Sequence, residues 1–138
     1  MLGYLEHDET RRFLRHVCAA LKPGARWVLD TGLAAESLLP NLQMERTLEI
    51  GGITFTVRNE YDAAGSRLIS QSSLARGQEC EKGQVIYSIY TAAEIRRLLE
   101  EAGLRVISAS GALDGKPFAL GDPRLLLVSE RPGAATGA

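Results

Sequence analysis

The sequence predicts an α/β fold with an inserted antiparallel β meander. The first indication is two amphipathic helical stripes, at residues 13–21 and 95–102, each followed by a short strand-like segment. The second is the middle of the chain, about 45–90, where apolar and polar residues alternate between turn signals. We therefore expect one domain over residues 1–131 with the meander inserted in it, and a disordered tail over 132–138.

Composition and charge limit the classes of partner. The 16 Lys and Arg residues nearly balance the 17 Asp and Glu residues, and no basic cluster stands out. Nucleic acid and membrane surfaces are therefore not expected partners, and we expect a cytoplasmic protein. Cys18 and Cys80 are predicted to be buried thiols rather than a disulfide. No group of His, Cys and Asp has metal-ligand spacing, so no metal is predicted.

A helix, a turn and a strand are predicted over the first third of the chain. Asp8 is the predicted N-cap of the helix. Pro23 and Gly24 suit the central positions of a type II turn. The uninterrupted apolar run 27–29 is typical of a strand covered on both faces, as in a parallel sheet. The apolar residues of the helix share one stripe and are Phe13, Leu14, Val17, Cys18 and Leu21.

The meander is predicted from three turn signals and the alternating runs between them. Gly51 and Gly52 separate two such runs, which indicates a tight hairpin. A second turn is predicted at 62–66 and a strand at 67–76. The polar segment 77–83 is predicted to be a loop before the last strand.

The last third begins with a helix that has a clear start signal. Thr91 and Glu94 have the spacing of a capping box, and Gly103 suits a left-handed helix end. Strands are predicted at 104–110 and 124–130, with a long loop between them.

Three segments together resemble a known family. They are residues 2–32, with Leu-Lys-Pro-Gly before a strand; residues 87–111, with Tyr-Thr-x-x-Glu and then Glu-Ala-Gly; and the final apolar strand, 123–132. In order and spacing they resemble the C-terminal half of a class I S-adenosylmethionine-dependent methyltransferase. The resemblance implies a Rossmann-like sheet with strands in the order 5-7-6, the last strand being antiparallel to its neighbours.

The resemblance also implies what this sequence lacks. It contains no Gly-x-Gly-x-Gly loop, which in the family approaches the cofactor closely. We expect methyl transfer from S-adenosylmethionine to a small molecule in a full-length or reassembled form, and little activity from this chain alone. The alternative is a non-catalytic fragment that serves as a binding or dimerisation module. In either case, we expect the open edge of the strand equivalent to the fifth to pair with a second copy of the chain or with a complementary chain that supplies the first half.

Candidate site residues follow from the edge of the sheet where ligands bind in open α/β folds. By resemblance, Met1, Leu2 and Gly3 would pass the methionine end of the cofactor and Tyr4 would face the substrate; the alternative is a fraying N-terminus.

Four further residues are candidates near the same edge. Asp30 and Thr31 end a strand there, and Asp30 either acts on the substrate or caps the next turn. His7 is a candidate general base or a solvated side chain. Tyr90 either lines the substrate pocket or packs at the rim of the sheet.

Overall fold

The computed structural model describes residues 2–133 of the chain. They form two compact units: residues 2–5 with 42–89, and Glu6–Asn41 with residues 90–133. The predicted meander forms the first unit, and the main helices and the remaining strands form the second. Met1 and residues 134–138 of the predicted disordered tail lie outside the described residues.

The second unit contains a three-stranded sheet of β1 (Arg26–Thr31), β6 (Arg105–Ser110) and β7 (Leu125–Glu130). β7 lies between β1 and β6 and is antiparallel to both. This confirms the predicted 5-7-6 order. The expectation that β1 is covered on both faces is wrong, because its side chains alternate between half-buried and exposed and Val28 is 56% exposed.

The first long helix of this unit, α1 (His7–Ala20), begins earlier than predicted. Its N-cap is Glu6 rather than Asp8, and the Glu6 backbone N–H donates to the Glu9 carboxylate at 3.3 Å. The predicted apolar stripe of this helix is confirmed for Leu14 and Cys18, which are both buried. The predicted type II turn is also confirmed after this helix, since Gly24 has φ +84° and the Ala25 N–H donates to the Lys22 carbonyl at 2.9 Å.

The helix α3 (Ala92–Glu101) forms with the predicted caps, after the short helix α2 (Ala35–Leu38). Thr91 Oγ1 accepts from the Glu94 N–H, and the Glu94 carboxylate accepts from the Thr91 N–H, each at 3.1 Å. Gly103 has φ +99°, which confirms the left-handed helix end. The side chains that form the core of this unit are fully buried leucines and one isoleucine: Leu14, Ile95, Leu99, Leu125 and Leu127.

The first unit is a four-stranded antiparallel sheet in the order β2-β3-β4-β5, preceded by a 3₁₀ turn over Leu2–Tyr4. The Gly51–Gly52 hairpin is confirmed, because Ile50 pairs with Ile53 and both glycines have positive φ. The strands of the meander are β2 (Glu45–Ile50), β3 (Ile53–Asp62), β4 (Arg67–Arg76) and β5 (Glu79–Ser88).

The predicted loop at 77–83 is wrong, because β5 already begins at Glu79 and pairs with β4 along its full length. Its first eight residues are exposed, and a polar sequence is compatible with an edge strand of that kind. The same feature explains Cys80, which is exposed rather than buried, whereas Cys18 is buried as expected.

Candidate functional site

Two predicted site residues meet in the second unit, just beyond the carboxyl end of β1. Ala34, three residues after that strand, forms a parallel bridge with Tyr90, and the Ala35 N–H donates to the Tyr90 carbonyl at 2.8 Å. These backbone contacts fix Tyr90 immediately before α3. The Tyr90 side chain is 5% exposed, and its hydroxyl lies 3.1 Å from His7 Nδ1.

The His7–Tyr90 pair joins the first residue of α1 to the residue before the N-cap of α3. The two rings also lie close together, with centroids 5.6 Å apart and an interplanar angle of 32°. His7 is exposed while Tyr90 is buried. When His7 Nδ1–H donates to the Tyr90 hydroxyl, Nε2 keeps a lone pair that can accept a proton. The arrangement therefore suits Tyr90 to orient His7 rather than to bind a ligand itself.

A small cleft of about 130 Å³ adjoins this pair. This volume has room for about four water molecules, which is too little for a typical small-molecule ligand. The cleft is therefore not itself a substrate pocket. Its lining mixes both charges with one apolar side chain and consists of His7, Arg11, Tyr90, Glu94, Arg97, Leu98 and Glu101.

Asp30 does not present a free carboxylate. Arg124 Nε donates to Asp30 Oδ1 at 2.7 Å, although both side chains are about half exposed. This hydrogen bond, together with the nearby negative charge, raises the pKa of Arg124 above its ordinary value. Arg124 precedes β7, so the ion pair joins two neighbouring strands on the face that Val28 exposes.

Thr31 has a structural partner of its own. Its Oγ1 accepts from the Leu33 N–H at 3.1 Å, so Thr31 rather than Asp30 caps the turn after β1. Because strand side chains alternate, Asp30 and Thr31 point to opposite faces of the sheet. The structure thus separates two residues that the sequence placed side by side.

Glu36 is a residue near this edge that sequence reasoning missed. Its carboxylate accepts from the Ala92 N–H, at 2.8 and 3.1 Å to its two oxygens. A carboxylate is favourable at the N-terminus of a helix such as α3. Glu36 therefore ties α2 to the start of α3, next to Tyr90. Nothing in the local sequence of Glu36 signals this contact.

The remaining predicted residues belong to the first unit. Leu2 and Gly3 are buried in the 3₁₀ turn, and Met1 lies outside the described residues. Tyr4 is 58% exposed, and its ring meets Tyr87 of β5 edge-on, with centroids 5.0 Å apart. Burial raises the pKa of Tyr87 above its ordinary value, and the hydrogen bond with Tyr4 adds to that effect.

Residues 2–133 contain no group of three or more His, Cys, Asp and Glu side chains placed to hold a metal ion. Within the same residues, no helix has the length and apolar character needed to cross a membrane.

Comparison with known proteins gave matches among solved structures alone. No protein-family model and no curated protein matches the chain. A S-adenosylmethionine-dependent methyltransferase from Clostridium acetobutylicum ATCC 824 is 12% identical, with a TM-score of 0.79, over 96% of this chain and 55% of that one. The CcbJ methyltransferase from Streptomyces caelestis is 16% identical, with a TM-score of 0.77, over 94% of this chain and 56% of that one.

A third similar structure is the sugar N-methyltransferase KedS8 from Streptoalloteichus sp ATCC 53650. It is 17% identical, with a TM-score of 0.60, over 94% of this chain and 51% of that one. This chain therefore spans about half the length of the structures it matches. Together with the 5-7-6 sheet and the meander, these matches confirm the resemblance at the level of the fold: the chain has the fold of about half of a S-adenosylmethionine-dependent methyltransferase.

Proposed function

We propose that this chain forms the acceptor side of a methyltransferase that uses S-adenosylmethionine and acts on a small molecule. The observation that carries the proposal is the match to methyltransferase structures over almost the whole chain. The sequence contains no Gly-x-Gly-x-Gly loop. We therefore propose that the main cofactor-binding residues lie outside this sequence, in a longer chain or in a complementary one.

The described residues offer little to the cofactor by themselves. Bound S-adenosylmethionine supplies a methyl group already activated on a sulfonium sulfur. Leu2 and Gly3, the candidates for its methionine end, are buried in their turn, so they could offer backbone groups rather than side chains. We therefore expect no tight binding of the cofactor by this chain alone.

His7 is the proposed general base. An amine or hydroxyl acceptor that gains a methyl group must lose a proton, and Nε2 of His7 can take it while Nδ1 donates to Tyr90. Tyr90 is then a positioning residue. We assign no proton transfer to Asp30, because Arg124 holds its carboxylate at 2.7 Å. KedS8 is a sugar N-methyltransferase, which makes a small-molecule amine the first acceptor to test.

A calorimetric titration of this chain with S-adenosylhomocysteine would test whether the main cofactor-binding residues lie outside this sequence. We expect no binding at micromolar concentration. Binding at that strength would mean that the chain already holds a complete cofactor site, and the division proposed above would be wrong.

The test of His7 is methyl transfer by the longer chain or the reassembled complex, measured with methyl-labelled S-adenosylmethionine and a small-molecule amine. His7→Asn should lower kcat by about 10²-fold or more, as expected for loss of a general base. His16→Asn is the matched control, because His16 is exposed on the same helix. Equal effects of the two substitutions would argue against a catalytic His7.

The second candidate function is a dimerisation module, favoured by the free edge of β1. Among the described residues, β1 has β7 as its single strand partner. An unpaired strand edge with an exposed apolar residue such as Val28 favours pairing with a second copy or a complementary chain. Analytical ultracentrifugation would test this: a dimer at micromolar concentration that Val28→Lys dissociates would support the module, and a monomer would count against homodimerisation.

A further inference from the structure

The meander carries a groove that the proposed methyl transfer does not use. Its volume is about 650 Å³, within the range of small-molecule sites. Two neighbouring cross-strand rows on one face of the sheet form it. Six side chains of these rows line the groove: Thr56, Ser73 and Lys82 in one row, and Arg58, Gln71 and Gln84 in the other.

No side chain of the described residues fills the space between the two rows, because the residues there point to the other face of the sheet. Ser72 and Gly83 pair across β4 and β5. Because side chains alternate along a strand, the side-chain positions of Ser72 and Gly83 point to the opposite face of the sheet. Their backbone therefore forms the floor of the groove. The lining therefore consists of a flat peptide floor with long polar side chains around it.

The charged side chains of the lining are all positive. It contains two cations and no carboxylate, and its remaining side chains are hydroxyls and amides. Arg and Lys side chains only donate hydrogen bonds, and hydroxyl and amide groups can donate as well. Such a set suits a ligand that presents several anionic oxygen atoms.

Both cations are available to a ligand. Within the described part of the chain, no ion pair involves Lys82. Arg58 Nε lies 3.7 Å from the Glu45 carboxylate, and these side chains are 70% and 58% exposed. Exposed pairs of this kind contribute about 0–1 kcal/mol, so an anion can compete with Glu45 for the guanidinium.

The spacing of the cations selects the shape of the ligand. Arg58 lies on β3 and Lys82 on β5, with β4 between them and one row further along, so their backbones are about 12 Å apart on the diagonal across the sheet. Their long side chains can lean toward each other over the floor. A single small anion would contact one of them, whereas two linked anionic groups can contact both.

We propose that this groove binds an extended anion of the diphosphate class, with two linked phosphoryl groups. Arg58 binds one phosphoryl group with its planar guanidinium, and Lys82 binds the other as a point charge. Thr56, Ser73 and Gln71 donate to the oxygen atoms between them. This site is independent of the cofactor and of the methyl acceptor proposed above.

The experiment is a calorimetric titration of the full chain with inorganic pyrophosphate and, separately, with orthophosphate at low salt. We expect pyrophosphate to bind about tenfold more tightly than orthophosphate, since it reaches both cations. Lys82→Met and Arg58→Met should each weaken pyrophosphate binding by about tenfold or more, as for loss of a charged hydrogen bond. Glu45→Gln should strengthen it, because the competitor for Arg58 is neutral.

Lys116→Met is the matched control, because Lys116 is a well-exposed lysine of the other unit. Absence of pyrophosphate binding at millimolar concentration would overturn the proposal, and so would an equal loss in Lys116→Met. Circular dichroism of each variant would show that the exposed strand substitutions leave the meander folded. A second titration with a nucleoside diphosphate would distinguish a diphosphate ester from free diphosphate as the ligand. Tighter binding than that of pyrophosphate would assign the groove to a diphosphate ester. Equal binding would mean that the groove recognises the phosphoryl groups alone.

Discussion

Arg131 should stabilise the C-terminal end of α1 from a distant part of the chain. No basic residue lies in the last turn of this helix. Arg131 Nη1 instead donates to the carbonyls of Cys18 and Ala19, at 3.3 and 3.2 Å, and to that of Leu21. The last carbonyls of a helix have no partner within the helix and carry partial negative charge, so a cation there is favourable.

The magnitude follows from these contacts. A hydrogen bond from a charged group contributes about 1.5–3 kcal/mol, and a charge at a helix end about 0.3–1 kcal/mol. Arg131 is half-buried, so water can replace part of what its removal leaves unpaired. We therefore expect Arg131→Met, which keeps an apolar stem, to lower the free energy of unfolding by about 1.5 kcal/mol, or about tenfold in the unfolding equilibrium constant.

Urea denaturation followed by tryptophan fluorescence would measure this loss. Trp27 is the single tryptophan of the chain and lies on β1 in the same unit as α1 and Arg131, so the signal reports that unit. Arg131→Lys should recover part of the loss, because the charge at the helix end is kept. Arg12→Met, on the exposed face of α1, should change stability by less than about 0.5 kcal/mol. If Arg131→Met loses no more than Arg12→Met, the capping role of Arg131 is refuted.

Three further stability predictions concern the second unit and use the same assay. Thr91→Ala should cost about 1 kcal/mol, because the Glu94 N–H loses its partner at the start of α3; a loss within error would contradict the importance of the capping box. Leu99→Ala should cost about 2–5 kcal/mol, since Leu99 is fully buried; a smaller cost would mean that the core closes around the cavity. Gly103→Ala should cost more than Gly24→Ala: both have positive φ, but a Cβ at Gly103 would lie 3.3 Å from Cys18 Sγ, while a Cβ at Gly24 meets nothing within 4 Å. Equal losses would mean that backbone strain alone sets the cost and that the contact with Cys18 adds nothing.

Much of the fold could be predicted because its signals are local. The Gly51–Gly52 hairpin, the Lys22–Ala25 turn and the Thr91–Glu94 capping box each depend on residues within a few positions of one another. The strand order 5-7-6 came from the resemblance of three separated segments, and the sheet confirms it. Four predictions were wrong. The N-cap of α1 is Glu6 rather than Asp8, an error of two residues in a local signal. The loop at 77–83, the burial of Cys80 and the double-sided cover of β1 depend on tertiary neighbours that a local pattern does not contain.

Individual residues of the candidate site could be predicted from the sequence, but the side-chain partner of each residue could not. The sequence singled out His7 and Tyr90 separately, and they are 83 positions apart. It gave no sign that Arg124 would occupy the Asp30 carboxylate, since those residues are 94 positions apart. A side chain's chemistry is set by its partner as much as by its type, and these partners meet only after folding.

By itself, then, the sequence determined the helices, the turns, most of the strands and the methyltransferase resemblance, because backbone preference and hydrophobic periodicity act over short distances. Only the tertiary structure decided which carboxylate is paired, which histidine is oriented and which cation caps α1. It also assembled the groove of Arg58 and Lys82, because cross-strand register brings together residues that no motif links.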